Sequence, residues 1–232
     1  MTADSVNRDL VDALSGRLVV SCQAYPGEPM RHPDTMARVA AAVEEGGAAA
    51  VRVQGLDDIR AVRARVDVPV LGLWKDGAEG VFITPTLDHV RAVAAAGAQV
   101  VAFDATLRAH PDGSSVADAV RLCHEELGVL AMADCDDIAS AVAAAAAGAD
   151  LVGTTLAGYT SARAKGAGPD LELVAALARE LAGTPVVAEG RIHTPEQAAA
   201  ALAAGAHAVV VGTAITHPTS ITRWFADAMK GA

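Results

Sequence analysis

The sequence predicts a closed (β/α)8 barrel of the TIM type, and three observations lead to that prediction. Eight short apolar runs alternate with Ala-rich helical stretches along the 232 residues. One junction, a Gly-Ala pair followed by an apolar run, recurs four times. Polar side chains gather where the apolar runs end, and in α/β folds that rim is where ligands bind.

The eight runs are apolar without alternation, as expected of parallel strands that are covered on both faces. Before the first of them, the polar stretch at residues 1–16 is expected to form a short N-terminal helix. Another helix is expected to begin at Thr194-Pro195, after the seventh run. The strands are expected at residues 18–22, 48–53, 70–74, 100–104, 129–133, 150–154, 186–189 and 208–212.

The recurring junction supplies the strongest argument for closure. Its glycines occupy positions 47, 97, 148 and 205, at intervals of 50, 51 and 57 residues. Each Gly is expected to take the left-handed conformation that ends a helix before the next strand begins. The interval matches two βα units, so the repeat predicts four βαβα quarters that close as a barrel. A doubly wound open sheet is the alternative.

Composition limits the size of the unit and its partners. No Gly/Ser linker or low-complexity tail divides the chain, so residues 1–232 are expected to form one domain. The core must be built mainly of Ala, Val and Leu, because 52% of residues are hydrophobic but only 3% aromatic. A net charge of −10 without a basic run argues against nucleic acid or an anionic membrane, whereas a small anion could bind to backbone N–H groups.

The cysteines indicate a reducing compartment. Cys22, Cys123 and Cys135 are odd in number and lie in or beside apolar runs, which is typical of reduced core thiols. No stretch has the pattern of a signal peptide or a membrane span. We therefore expect a cytoplasmic protein.

Polar residues follow nearly every predicted strand, and in a barrel they would face one another across one end. Lys75 is the most informative, because only three of the 18 basic residues are Lys. An amine can lose its proton when it is desolvated, whereas a guanidinium cannot in practice. Lys75 is thus a candidate general base or Schiff-base nucleophile, unless it is a solvated loop residue beside Asp76. The strand-end residues are Gln23, Arg52, Lys75, Asp104, Arg108, Asp134, Thr154, Thr155, Glu189, Arg191, Gly212 and Thr213.

Glu189 ends the buried run Pro185-Val-Val-Ala, where an unpaired charge would be costly. It either forms a structural salt bridge, with Arg191 or Arg52, or shares acid and base roles with Lys75 across the barrel mouth.

The ends of the last two predicted strands have the features of a phosphate site. Gly190, Gly212 and Thr213 have the positions of the phosphate-binding loops that follow strands seven and eight of such barrels. Arg191 or Arg223 could add a charge-assisted contact to the phosphate.

Motifs for other kinds of chemistry are missing from the sequence. The seven His residues show neither H-x-E-x-H nor H-x-x-x-H spacing, so we expect no catalytic metal. The chain has no G-x-S-x-G elbow, and no G-x-G-x-x-G follows the first strand, which argues against a hydrolase or a dinucleotide-dependent dehydrogenase. No cofactor is expected.

Several long motifs, taken together, resemble the N-acetylmannosamine-6-phosphate 2-epimerase family, a ribulose-phosphate-binding type of (β/α)8 barrel. The resemblance runs from Leu18 to the C-terminus. The motifs are Val20-Ser-Cys-Gln-Ala-Tyr-Pro-Gly-Glu-Pro29, Val81-Phe-Ile-Thr-Pro-Thr86, Asp104-Ala-Thr106, Met132-Ala-Asp134, Val152-Gly-Thr-Thr-Leu-Ala-Gly-Tyr-Thr160, Ala188-Glu-Gly-Arg-Ile192 and Ile221-Thr-Arg-Trp-Phe225.

The resemblance implies a cofactor-independent inversion at C2 that interconverts N-acetylmannosamine 6-phosphate and N-acetylglucosamine 6-phosphate, in amino-sugar and sialic acid breakdown. By similarity, Lys75 would be the catalytic base, acting directly or through a substrate hydroxyl, with Glu189 as its acid/base partner. The same similarity assigns the sugar to Gln23, Arg52, Asp134 and Arg191, and the phosphate to Gly190, Gly212 and Thr213.

Two positions depart from the pattern that the resemblance leads us to expect. Val53-Gln54-Gly55 stands in place of an Ala-Asn-Gly-like turn, and His217 in place of an Arg. The first concerns how the sugar is bound, and the second removes one expected cation near the phosphate.

Two other functions remain as alternatives at this point. One is a Schiff-base or decarboxylating lyase on the same kind of barrel, which borohydride trapping on Lys75 would reveal. The other is a silent barrel that binds sugar phosphate without turnover.

The C-terminal segment, residues 220–229, has the pattern of an amphipathic helix. Its aromatic residues Trp224 and Phe225 are expected in the core or in a dimer interface. The resemblance makes a homodimer the expected assembly.

Overall fold

The computed structural model describes residues 3–181 and 183–230 and shows eight parallel strands in a closed barrel. Each strand pairs with its neighbours in chain order, and β1 pairs with β8 to close the sheet. The (β/α)8 prediction is therefore confirmed, and the open doubly wound sheet is excluded. The strands are β1 (Arg17–Cys22), β2 (Ala50–Gln54), β3 (Val70–Leu73), β4 (Val100–Asp104), β5 (Leu130–Asp134), β6 (Leu151–Gly153), β7 (Val186–Glu189) and β8 (Ala208–Val211).

The helices surround this sheet, apart from the first, which lies at one end. Most begin at a side chain that accepts a backbone hydrogen bond, as Thr86, Ser115, Asp137, Asp170 and Thr194 do. The helices are α1 (Ala3–Ala13), α2 (Pro33–Glu45), α3 (Leu56–Arg63), α4 (Leu87–Ala95), α5 (Val116–Arg121, continued by a π-helical segment Leu122–Leu127), α6 (Ile138–Ala146), α7 (Leu171–Glu180), α8 (Pro195–Ala203), α9 (Thr213–Thr216) and α10 (Pro218–Lys230).

The four repeated glycines have the predicted conformation. Gly47, Gly97, Gly148 and Gly205 all have φ between 92° and 109°, a region that is strained for residues with a Cβ atom. Each lies between a helix and the following even-numbered strand, so the repeated junction precedes every second strand of the barrel.

The core has two layers because successive strand residues point to opposite faces of the sheet. Val19 and Leu71 belong to the cluster inside the barrel, whereas Val20 and Val70 belong to the layer between the sheet and the helices. Both layers are apolar, which explains why the strands show no alternation in sequence.

Helix α1 closes the N-terminal end of the barrel. Its residues Leu10 and Val11 pack against the interior cluster, and Leu14, just after the helix, is buried in that cluster. The His207 ring lies 2.8 Å from the Val11 carbonyl oxygen. The cavity described below lies at the opposite end of the barrel, at the C-terminal ends of the strands.

The three cysteines are buried free thiols, as expected. Burial raises the pKa of both Cys22 and Cys123 to about 12. Across the described residues, no helix is both long and apolar enough to cross a membrane.

Candidate active site

A cavity of about 640 Å³ opens at the C-terminal ends of the strands. The residues that project into it occupy alternate positions of their strands, on the same side as the interior cluster. Arg52 lies two residues beyond the inward-facing Ala50, and Glu189 two beyond Val187. Of the predicted site residues, the cavity is lined by Gln23, Arg52, Lys75, Glu189, Gly190, Arg191, Gly212 and Thr213.

A buried ion network forms the floor of the cavity. Arg52, only 1% exposed, places Nη2 2.5 Å from Asp134 Oδ2 and Nη1 2.9 Å from Glu189 Oε2. The Thr155 hydroxyl lies 2.7 Å from Asp134 Oδ1 and 3.1 Å from Glu189 Oε2. Of the two salt bridges considered for Glu189, the one with Arg52 is present.

Asp134 lies beneath the cavity and not in its wall. Its carboxylate is fully buried and accepts hydrogen bonds from both terminal nitrogens of Arg52. This bidentate geometry fixes the plane of the guanidinium. The structure thus places Asp134 where it orients Arg52, while Arg52 and Glu189 face the ligand space.

Lys75 lies on the β3 side of the cavity and is not a solvated loop residue. Its Nζ donates a hydrogen bond to Gln23 Oε1 at 2.9 Å, and the Gln23 amide is in turn held by Ser21 Oγ at 2.9 Å. Neighbouring Asp76 is directed elsewhere, with Oδ2 3.3 Å from the His89 ring. Burial, and then the positive charge of Arg52, lower the pKa of Lys75.

Glu189 stands opposite Lys75, because β3 and β7 are four strands apart in a ring of eight. Burial raises the pKa of Glu189; the charge of Arg52 acts in the other direction, and Asp134 adds to the increase. A base that loses its proton more easily than an ordinary Lys therefore faces an acid that retains its proton better than an ordinary Glu.

The corner beside β7 and β8 offers backbone donors. Gly190 has φ 111° and Arg191 φ 55°, both positive, and a Cβ atom at Gly190 would be strained. Within residues 3–181 and 183–230, no backbone carbonyl accepts a hydrogen bond from either N–H group. Backbone N–H groups without a protein acceptor can donate to a bound anion.

The two arginines considered for phosphate binding differ in placement. The Arg191 guanidinium donates to the Gly168 and Ala157 carbonyl oxygens at 2.9 and 2.7 Å, so it anchors the loop after β6. Arg223 lies on the exposed helix α10 and does not line the cavity. Among the described residues that line this corner, Arg191 supplies the cationic side chain.

Asp104 and Arg108 also lie outside the cavity lining, although both were strand-end candidates. They form a salt bridge with each other, with Arg108 Nη2 2.6 Å from Asp104 Oδ2. His217 lines the cavity, but its ring is 2.5 Å from Glu28 Oε1, so it connects α10 to the loop after β1.

Sequence reasoning gave no role to two aromatic residues at the cavity mouth. Tyr25 and Tyr159 are about half exposed, at 54% and 52%, and line the cavity from the loops after β1 and β6. The centroid of the Tyr25 ring lies 5.3 Å from Lys75 Nζ. The sequence held a signal for this role, because the chain is poor in aromatic residues and both of its tyrosines fall in loops that follow predicted strands.

The fold and this site together define a (β/α)8 barrel with a polar cavity at the C-terminal ends of its strands. The chain belongs to the NanE family, whose model is described as "Putative N-acetylmannosamine-6-phosphate epimerase" and matches residues 36–231.

Two relatives share the name "Putative N-acetylmannosamine-6-phosphate 2-epimerase". The protein from Cutibacterium acnes is 60% identical over 222 residues, covering 95% of this chain and 97% of the relative. The protein from Corynebacterium glutamicum strain R is 48% identical, with 98% and 99% covered.

Solved structures give a concordant result. The N-acetylmannosamine-6-phosphate 2-epimerase from Clostridium perfringens superposes with a TM-score of 0.88 at 39% identity, covering 94% of this chain and 96% of that one. A thiamine phosphate pyrophosphorylase from Pyrococcus furiosus has a TM-score of 0.61 at 18% identity and shares the fold alone.

Proposed function

We propose that this chain interconverts N-acetylmannosamine 6-phosphate and N-acetylglucosamine 6-phosphate by removing and returning the proton on C2. One observation carries the proposal beyond family membership. Lys75 and Glu189 face one cavity from opposite sides, and burial lowers the pKa of Lys75 and raises that of Glu189. Two such groups can approach a single carbon from its two faces, as inversion requires.

The chemistry at C2 fits these residues. In the open-chain sugar, C2 lies next to the aldehyde carbon, so removal of its proton places negative charge on the aldehyde oxygen. Lys75 Nζ takes the proton, and the electron pair moves onto that oxygen, where a nearby cationic donor stabilises it. The Glu189 carboxyl then returns a proton to the opposite face of C2. Arg52 is the cation that the cavity floor offers to the developing charge.

The pair works in either direction when it holds one proton. For one epimer, neutral Lys75 is the base and protonated Glu189 the acid; for the other, the roles reverse. The rate should fall in acid, where both groups are protonated, and in alkali, where both have lost the proton. The alkaline limb should lie below the usual range of a lysine pKa, and the acid limb above that of a carboxyl.

The rest of the cavity orients the sugar phosphate. The backbone N–H groups of Gly190 and Arg191 have no backbone acceptor among the described residues, and Gly212 and Thr213 line the same corner, which supports a phosphate site there. Gln23 lies beside the Lys75 amine and would contact the sugar near C2. In this proposal Asp134 serves the sugar indirectly, by holding Arg52.

The Glu189→Gln variant tests the two-residue mechanism. It is expected to lower the rate of epimerisation in D2O by about 100- to 10,000-fold, because the amide cannot return a proton. Lys75 remains, so the C2 proton of one epimer, and not of the other, should still exchange for deuterium. Proton NMR of each epimer with the purified enzyme measures both processes.

Glu126→Gln is the matched control, since that exposed carboxylate pairs with Arg91 away from the cavity and should retain the rate. If the Glu189→Gln variant epimerises the substrate at the wild-type rate, Glu189 takes no part in the proton transfer. Tight binding by the unsubstituted protein with neither epimerisation nor exchange would contradict the proposed function as a whole.

We also propose that the chain forms a homodimer through α10. None of the 13 residues of this helix is buried, yet it presents Trp224, Phe225 and Met229 to solvent, with Phe225 70% exposed. The alternative that the two aromatic side chains pack in the monomer core is wrong, because both Trp224 and Phe225 are exposed. A second copy of the chain would cover this apolar face.

Phe225→Glu is accordingly expected to convert a dimer into a monomer, as measured by light scattering after size-exclusion chromatography. Leu107→Glu is the matched control, because Leu107 is also 70% exposed but lies in the loop after β4. A monomeric unsubstituted protein would contradict the proposed dimer.

The three buried thiols support a cytoplasmic location for this enzyme.

A further inference from the structure

The backbone that carries Lys75 belongs to a small hairpin and not to the barrel sheet. Lys75 forms an antiparallel bridge with Ile83, and the Asp76 N–H donates to the Phe82 carbonyl oxygen at 2.9 Å. We call residues 75–83 the lysine hairpin. Its residues Gly77, Ala78, Phe82 and Ile83 line the cavity together with Lys75, so the hairpin forms one wall of the site.

The base of the lysine hairpin is fastened to two strands by Thr84. The Thr84 N–H donates to the Trp74 carbonyl oxygen at 2.7 Å, and its hydroxyl donates to the Ala102 carbonyl oxygen at 2.7 Å while accepting from the Trp74 N–H. Thr84 has φ 46°, which is uncommon for a β-branched residue and persists where surrounding bonds hold it. These bonds therefore hold Trp74 and Thr84, the two residues that flank the lysine hairpin.

The tip of the lysine hairpin differs from its base, because it contains two glycines. Gly77 and Gly80 both have positive φ, and glycine allows more backbone conformations than any other residue. The Gly80 carbonyl oxygen accepts a hydrogen bond from Arg108 Nη1 at 2.7 Å. This bond joins the tip to the loop after β4.

Arg108 is itself held in place on its other nitrogens. Nη2 lies 2.6 Å from Asp104 Oδ2, and Nε donates to Thr106 Oγ1 at 2.9 Å. Asp104 is fully buried at the end of β4, and the Thr106 hydroxyl also donates to it at 2.7 Å. The guanidinium thus connects a buried carboxylate to a glycine-containing turn.

We propose that Arg108, anchored by Asp104, is a positioning residue that holds the lysine hairpin closed over the cavity and so keeps Lys75 in place and away from bulk water. The proposal rests on the proposed function. Arg108 does not line the cavity, so its effect on the substrate passes through the hairpin. The phosphate corner lies beside β7 and β8, away from β3 and β4, and binding there should depend little on Arg108.

Arg108→Ala is therefore expected to lower kcat by about 10- to 100-fold, since small displacements of a reacting group are costly, while KM changes little. An open hairpin would also admit water to Lys75. The alkaline limb of the pH–rate profile should then move upward, towards the ordinary range of a lysine. Arg108→Lys retains the charge, but a single ammonium nitrogen cannot span the three acceptors that the planar guanidinium reaches, so this variant should recover only part of the rate.

The experiment measures kcat and KM across pH for the unsubstituted protein, Arg108→Ala, Arg108→Lys and Arg121→Ala. Arg121 is the control, because it also pairs with a nearby carboxylate, that of Asp118, but touches no part of the lysine hairpin. Added methylguanidinium should restore part of kcat to Arg108→Ala and leave Arg121→Ala unchanged. If Arg108→Ala does not fold, the rate and alkaline limb of Arg108→Lys decide the question.

The outcomes separate the two proposals. An unsubstituted protein that does not epimerise contradicts the proposed function. An active protein whose Arg108 variants keep the wild-type kcat contradicts the positioning role. A reduced kcat with an unmoved alkaline limb and no rescue by methylguanidinium also overturns it, because it indicates a structural role alone.

Discussion

Replacing Lys75 with Ala is expected to slow epimerisation by about 100- to 10,000-fold, the usual contribution of a positioned acid or base. The amine is the only one among the described residues that line the cavity, so no second lysine can replace it. Lys75→Arg should be nearly as slow, although it keeps the positive charge, because a guanidinium does not release its proton near neutral pH. Both variants should bind the substrate phosphate, whose corner lies across the barrel.

Proton NMR in D2O gives the rate of appearance of the second epimer, and circular dichroism shows whether each variant is folded. Lys165→Ala is the matched control, because Lys165 contacts the Tyr159 ring near the mouth but does not line the cavity. Substantial epimerisation by folded Lys75→Ala would exclude Lys75 as the base. Borohydride trapping of substrate on Lys75 would instead favour a Schiff-base mechanism.

Replacing Arg52 with Leu is expected to destabilise the protein by about 3–5 kcal/mol, the typical cost of removing one partner from a buried ion pair. The substitution leaves two carboxylates without their shared cation, that of Asp134 beneath the cavity and that of Glu189 in its lining. The pKa of Glu189 should rise further, since Arg52 is the largest influence that lowers it. Activity should also be lost, because Arg52 faces the ligand space.

Urea unfolding followed by circular dichroism measures this loss of stability. Arg91→Leu is the matched control, because Arg91 pairs with Glu126 on the surface, where an ion pair contributes little. An unfolding midpoint for Arg52→Leu close to that of Arg91→Leu would mean that the network does not stabilise the barrel and serves the substrate alone.

Much of the fold could be predicted because it depends on local chemistry. The turn before each even-numbered strand needs a residue with positive φ, which glycine adopts without strain. These glycines recur at a regular spacing because the barrel is built from repeated βα units. The strand β4 has the predicted bounds, while β2 and β5 are displaced by one or two residues. Strand ends are less certain, since pairing with neighbours decides them.

The candidate site was predictable as a set of residues but not as an arrangement. Lys75 stood out because Lys is rare in this chain, and Glu189 because it ends a buried strand. Which cation pairs with Glu189 was open between Arg191 and Arg52, since both lie at strand ends. Arg191 instead donates to loop carbonyl groups, and Asp134 lies behind Arg52.

By itself, the sequence determined the barrel, its strand order, the family and the residues that gather at the cavity end, because periodicity, glycine conformation and motifs are properties of short segments. Only the tertiary structure decided which of those residues meet. Arg52 and Asp134 are 82 positions apart, and Lys75 and Gln23 are 52 apart. Contacts over such separations depend on barrel closure and on which way each strand turns its side chains. The same closure buries Lys75 and Glu189, and burial is the largest influence on the pKa of each.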